Sequence, residues 1–243
     1  MTTQIVLVPG FWLGAWAWDE VAPRLRDEGF DVVALTLPGL SEGSPDATAT
    51  VDDQADAIVE AFDTHAERRV LVVHSGAAVP GTVVLDRDPG LVDHVVYVDT
   101  APVSDGHAMN TELDGDSLPL SAVYDSELEE GSMRDLTEEQ LQTFRDRAVP
   151  QPGATVREPV NLRNDARLDV PGTVICTAFS ASDYRAYAEQ GVPFLRGITE
   201  FRSLELVDLP TGHWPMWSKP AELAAAIATA AGAPTKAVSQ DPR

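Results

Sequence analysis

A serine that ends an apolar, β-branched run and is followed by small residues has the surroundings of an activated nucleophile. Ser75 sits that way in VLVVHSGAA, Val70 to Ala78. The run reads as a buried strand, the serine as a residue held in a sharp turn, and the glycine and alanines as a helix start with nothing bulky to block it. The match to GxSxG is incomplete, because Val73 and Ala77 occupy the outer glycine positions. A serine hydroxyl is a poor nucleophile at neutral pH and needs a base within reach. His213, in LVDLPTGHWPMW from Leu206 to Trp217, lies in a glycine-containing turn after an apolar strand and follows the serine in the chain. The oxyanion formed by attack needs N–H donors. The sequence offers those of Gly76, directly after the serine, and Phe11, in the loop PGFWLGAWAW after the first strand. Trp12 and Trp214 adjoin these loops and are expected to wall an apolar substrate pocket.

These residues must be held by an alternation of strands and helices, which predicts a mostly parallel central sheet covered on both faces. Strands are expected at Ile5–Val8, Val32–Leu37, Val70–Val73, His94–Val98, Thr173–Cys176 and Ser203–Val207. Helices are expected at Trp18–Asp27, Asp52–Arg68, Ala77–Arg87, Tyr184–Gln190 and Ala221–Ala231, with Thr50 as an N-cap. The pattern breaks after Asp99 and resumes near Gly172. The intervening acidic, polar and proline-rich residues are expected to form a helical cap over the catalytic mouth, with Thr137 to Gln140 as a capping box. The organisation read from the sequence is therefore a core over residues 1–100 and 171–231, a cap insertion over 101–170 and a disordered tail over 232–243.

Taken together, PGFWLGAWAW, VVHSGA, VICT and GHWPM, in that order, resemble the α/β-hydrolase fold superfamily, and within it the small esterases related to plant methyl-salicylate esterases and hydroxynitrile lyases. The resemblance spans nearly the whole chain and implies a carboxylic-ester hydrolase with a Ser/His/Asp triad. The hydroxynitrile lyases use a threonine in the first loop and a lysine after the histidine, and Gly10 and Trp214 stand there instead, which argues against cyanohydrin cleavage. In the esterases the triad acid follows the late strand as CTxD or CTxxD, but those positions hold Phe179 and Ser180. Two replacements remain open. Asp99 ends the strand after the nucleophile's helix and is preferred; Asp183 follows a few residues on. Each also has a simpler local role, as the cap of a turn through Thr100 and Ala101 or of the helix from Tyr184.

The expected reaction is cleavage of a small or medium hydrophobic or aromatic ester through an acyl-enzyme, with no cofactor. A cofactor-free lyase or oxygenase, a lactonase or amidase, and a noncatalytic ligand receptor remain as alternatives on the same fold. No metal site is expected, because His65, His74, His94, His107 and His213 show no ligand spacing and Cys176 is the single cysteine. A net charge of −22 and the acidic isoelectric point near 4.3 argue against nucleic acid and anionic membranes as partners. No run approaches the length of a membrane span, and MTTQIVLV carries no basic signal-peptide start, so a cytoplasmic location is expected. The partner is a small-molecule ester, with a homodimer left open.

Overall fold

Valine, isoleucine and leucine at nearly every position of several short runs leave no polar face to turn toward water, which suits strands covered on both sides. In the computed structural model, which describes residues 2–232, the strands are β1 (Thr3–Val8), β2 (Asp31–Ala34), β3 (Arg68–His74), β4 (His94–Val98), β7 (Gly172–Cys176) and β8 (Leu204–Asp208). They form a six-stranded sheet in the order β2-β1-β3-β4-β7-β8, every neighbouring pair parallel. Two short strands, β5 (Ser117–Leu118) and β6 (Gln151–Pro152), make a separate antiparallel ribbon. The order puts β3 between β1 and β4, so the end of β3 is flanked by the loop after β1 and by the tip of β4.

Alternate residues of each strand feed two cores. Val6, Val8, Leu71, Val73, Val95, Tyr97 and Val174 face α2 (Val51–Glu60), α3 (Ala78–Arg87) and α7 (Ala181–Glu189). Ile5, Leu7, Val70, Val72, Val96, Val98 and Ile175 face α1 (Ala22–Asp27) and α10 (Pro220–Ala231). Thr50 caps α2 as expected, in a reciprocal pair with Asp53.

Several boundaries differ from those the sequence suggests. The helix expected to reach Arg68 stops at Glu60, because Asp63 accepts from His65 N and donates its own N–H to Gln4 Oε1, bending the chain toward β3. The segment expected as one helix from Trp18 is a 3₁₀ turn at Ala15–Trp18 followed by α1, whose first turn holds Pro23. Strand β2 ends at Ala34, short of Leu37, and Thr36 Oγ1 accepts from Ala15 N instead of facing a core. Helix α7 starts at Ala181, earlier than expected, under a capping box between Ser180 and Asp183.

Between β4 and β7 the chain leaves the sheet and carries α4 (Tyr124–Glu129), α5 (Glu138–Arg147) and α6 (Gly153–Arg157). Thr137 and Gln140 open α5 reciprocally, as the sequence suggests. The helix then drives Phe144, fully buried, among Trp12, Trp214 and Trp217, at centroid distances of 6.3, 5.1 and 5.2 Å. This cap segment is thereby packed against both aromatic loops. After β7 come α7 and α8 (Arg196–Glu200), and after β8 come α9 (Pro215–Ser218) and α10. The tail expected over 232–243 lies, from residue 233 on, outside the described residues. Among the described residues no helix is long and apolar enough to cross a membrane.

Candidate active site

Strand β3 ends at His74, and Ser75 takes φ +52° before a short 3₁₀ turn runs into α3. A left-handed backbone at a residue with a side chain is strained, and here it holds the hydroxyl out at the strand tip. Two glycines make room for the turn. A Cβ at Gly10 would lie 2.7 Å from His74 Nδ1 and 2.8 Å from Ser75 Cβ, and one at Gly76 would lie 2.2 Å from the Phe11 ring. The loop after β1 is therefore pressed against the serine turn. Val73, in the first glycine position of GxSxG, is accommodated from the other side: its Cγ1 would lie 2.7 Å from a Cβ at Gly81, one turn into α3. That compensation is invisible in the five-residue pattern.

His213 reaches Ser75 from the loop after β8. Its Nε2 is 2.8 Å from Ser75 Oγ and its Nδ1 is 2.5 Å from Asp99 Oδ2. With the Nδ1 proton donated to the carboxylate, Nε2 is left to accept from the hydroxyl. Asp99 sits at the tip of β4 with φ +45°, and its side chain is 2% exposed. Its Oδ1 accepts from Thr177 N and Ala178 N, both at 3.0 Å, and from Tyr184 Oη at 3.1 Å. The amides lie just past β7, so the loop after β7 holds the carboxylate that stands at the tip of β4. Asp99 thus directs its carboxylate to the loop after β7, to α7 and to His213, where the sequence also allowed a local cap through Thr100 and Ala101.

Asp183, the other candidate, is exposed and accepts from the backbone N–H and hydroxyl of Ser180 at the start of α7. It stands at the third helical position, not at the N-cap itself. The site therefore joins Ser75, His213 and Asp99 and leaves Asp183 elsewhere. Tyr184, one residue on, is a partner of Asp99 that sequence reasoning missed; a buried tyrosine on a helix carries no signal of its target.

Burial works against charge on Asp99, but the hydrogen bond and charge of His213 and the amides of Ala178 and Thr177 prevail, holding the carboxyl well below the usual carboxylate range. Burial likewise opposes an imidazolium at His213. The hydrogen bond and charge of Asp99, with a contribution from Glu127, outweigh it and raise the ring above the ordinary histidine value. His74, fully buried, is pushed down to about 3, first by burial and then by the neighbouring His213. Its neutral ring donates Nε2–H to the His213 carbonyl at 2.8 Å, tying the serine turn to the histidine loop. Cys176 is buried and its thiol pushed up to about 12, mainly by that burial.

The cap segment enters the site through its turn before α5. His213 N donates to Ser132 O at 2.7 Å, and Thr211 Oγ1 donates to Asp135 Oδ2 at 2.9 Å. Arg134 Nη2 donates to Thr177 O at 3.0 Å, to Ala178 O at 3.2 Å and to Thr211 O.

Above Ser75 opens a cavity of about 420 Å³, a size that suits a small molecule. Phe11, Trp12, Ser75, Asp99, His213 and Trp214 all line it. Trp12 and Trp214, expected as pocket walls, are 7% and 2% exposed and serve core and cavity together. Trp214 sets its ring edge-on to His213 at 4.9 Å, and Trp12 Nε1 donates to Leu118 O. At the mouth Met109, Phe179 and Phe194 are 43, 50 and 48% exposed.

A sequence model of the alpha/beta hydrolase family matches residues 5–226. Probable hydrolase R7 of Phoma sp. is 28% identical over 247 residues, covering 94% of this chain and 98% of its own. Methylesterase 9 of Arabidopsis thaliana is 31% identical over 97 residues, 38% of each chain. Among solved structures, the pyrethroid hydrolase PytH superposes with a TM-score of 0.73 at 19% identity, covering 98% of this chain and all of that one.

Proposed function

The chain belongs to the alpha/beta hydrolase family and is related to the plant methylesterases; from that premise we propose that it is a serine hydrolase cleaving a small or medium hydrophobic or aromatic carboxylic ester. The observation that carries this reading is the continuous hydrogen-bonded row from Ser75 Oγ through the His213 ring to Asp99, opening onto the cavity. In the first step Ser75 Oγ attacks the ester carbonyl while its proton passes to His213 Nε2, and the oxyanion is received by the N–H groups of Phe11 and Gly76. Collapse of the intermediate breaks the bond to the alcohol, which leaves with the proton from His213. Water then gives a proton to the same nitrogen and attacks the acyl-enzyme; collapse breaks the bond to Ser75 Oγ, which takes the proton back from His213 as the acid is released.

The cavity supports this choice of substrate class. Its aromatic and aliphatic walls favour an apolar acyl part, and among the described residues lining it there is no lysine or arginine. A neutral ester enters without penalty. The carboxylate product finds itself beside Asp99, Glu127 and Glu130 and is driven out.

Treatment with a fluorophosphonate probe tests the nucleophile. The parent protein should become labelled on the peptide containing Ser75, and Ser75→Ala should take up no label. Labelling of that variant at the parent level would refute the assignment.

A further inference from the structure

We infer that Arg134, in the cap segment, is a positioning residue that locks the loop holding Asp99 to the loop carrying His213; the inference rests on the serine-hydrolase reading of this site. The argument comes from which carbonyls the guanidinium selects. Thr177 and Ala178 use their N–H groups to hold Asp99 Oδ1, and the carbonyls of the same two residues accept from Arg134 Nη2. That nitrogen also binds the carbonyl of Thr211, two residues before the catalytic base candidate. One nitrogen therefore sets the separation of the two loops across which Asp99 and His213 must meet. The surrounding backbone completes the clamp. Ser132 O receives His213 N, and Gly212 passes so close that a Cβ there would lie 2.4 Å from Arg134 O and 2.6 Å from Ser132 O. Asp135, at φ +68°, holds Thr211 by its side chain.

This end of the cap segment is consequently part of the catalytic scaffold, not a lid that lifts away. A guanidinium suits the task because its planar, permanently charged head holds Nη2 toward the three carbonyls from a fixed direction, which a lysine ammonium on a flexible stem does not reproduce. Arg134 as a whole is exposed, so removing it takes little packing from the core and the variant should fold.

The test compares the full-length parent with Arg134→Ala and Arg134→Lys, using p-nitrophenyl butyrate turnover, active-site titration with a fluorophosphonate, and rescue by millimolar guanidinium. Loss of alignment by an ångström or so should lower kcat per titrated site about a hundredfold in Arg134→Ala, with KM little changed. The acid limb of the pH profile should move down toward the ordinary histidine value as His213 loses its tight contact with Asp99. Arg134→Lys should retain part of the rate, and added guanidinium should restore part of it to Arg134→Ala. Arg134→Ala with the parent's kcat per site and the parent's acid limb would overturn the inference. So would a fall in rate matched by an equal fall in titratable sites with the limb unmoved, since that is the mark of lost folding alone. A second readout does not depend on turnover: the proton shared by His213 Nδ1 and Asp99 should give a far-downfield NMR resonance in the parent that shifts or vanishes in Arg134→Ala. If the parent takes no label on Ser75, the hydrolase reading fails; an unmoved resonance refutes the clamp by itself.

Discussion

Replacing Asp99 by asparagine should do more than remove a charge, because the surroundings dictate which way the amide turns. Three donors, Thr177 N, Ala178 N and Tyr184 Oη, converge on Oδ1, so the asparagine must keep its carbonyl oxygen there. Its NH₂ then occupies the Oδ2 position, 2.5 Å from His213 Nδ1 in the parent. Two donors cannot face each other, and Nδ1 must become the acceptor. The ring proton moves to Nε2, where it meets Ser75 Oγ, and the base is lost. In serine proteases the same wrong-tautomer substitution lowers kcat about 10⁴-fold, equivalent to about 5 kcal/mol of transition-state stabilisation. A loss of that order in kcat is expected here, with fluorophosphonate labelling slowed in proportion. The control is Asp183→Asn, which loosens the start of α7, lowering the melting temperature slightly while kcat stays at the parent level. A kcat for Asp99→Asn within about tenfold of the parent would refute the reasoning, since an effect that small lies below the roughly 10²- to 10⁴-fold ordinary for general acid–base catalysis.

The pH dependence carries its own sign. His213 must be unprotonated to act as base, and Asp99 raises its pKa, so activity should rise with pH along an acid limb centred above the ordinary histidine value of about 6.5; a rate flat from pH 5 to 8 would count against His213. The same shift makes the His213 ring contribute stability that is full below about pH 6.5 and fades as pH climbs through the folded value, visible as a falling melting temperature on the alkaline side. Gly76→Ala should push a methyl into the Phe11 ring, displacing a proposed oxyanion donor and lowering kcat about 10²- to 10³-fold with the protein still folded; unchanged kcat would remove Gly76 from that role.

Much of this arrangement was legible because its determinants are local. The strand His94–Val98 matches its expected bounds, since a strand buried on both faces must be apolar throughout and its ends are marked by polar neighbours. Ser75 and His213 stood out because a nucleophile turn and a glycine-bounded histidine loop each alter several adjacent residues. Arg134 and Tyr184 left no such trace. Their partners lie 43 or more residues away for Arg134 and 85 for Tyr184, and neither an exposed arginine in an acidic stretch nor a tyrosine on a helix announces a distant contact. Helix limits failed for a related reason: α2 ends where Asp63 meets Gln4, 59 residues earlier in the chain, and no window of periodicity contains that pair.

Trp12, Ser75 and Asp99 share an uncommon property, for all three bend their backbone into the left-handed region, at φ +67°, +52° and +45°. Such conformations cost about 1 to 3 kcal/mol each for residues with bulky side chains, less for aspartate. The tension is gathered where turnover happens instead of being shared out through the fold. Breeding this protein for heat resistance should therefore find its easiest gains at these very positions, by exchange for glycine or by relaxing their loops, and each such gain should be accompanied by a slower enzyme.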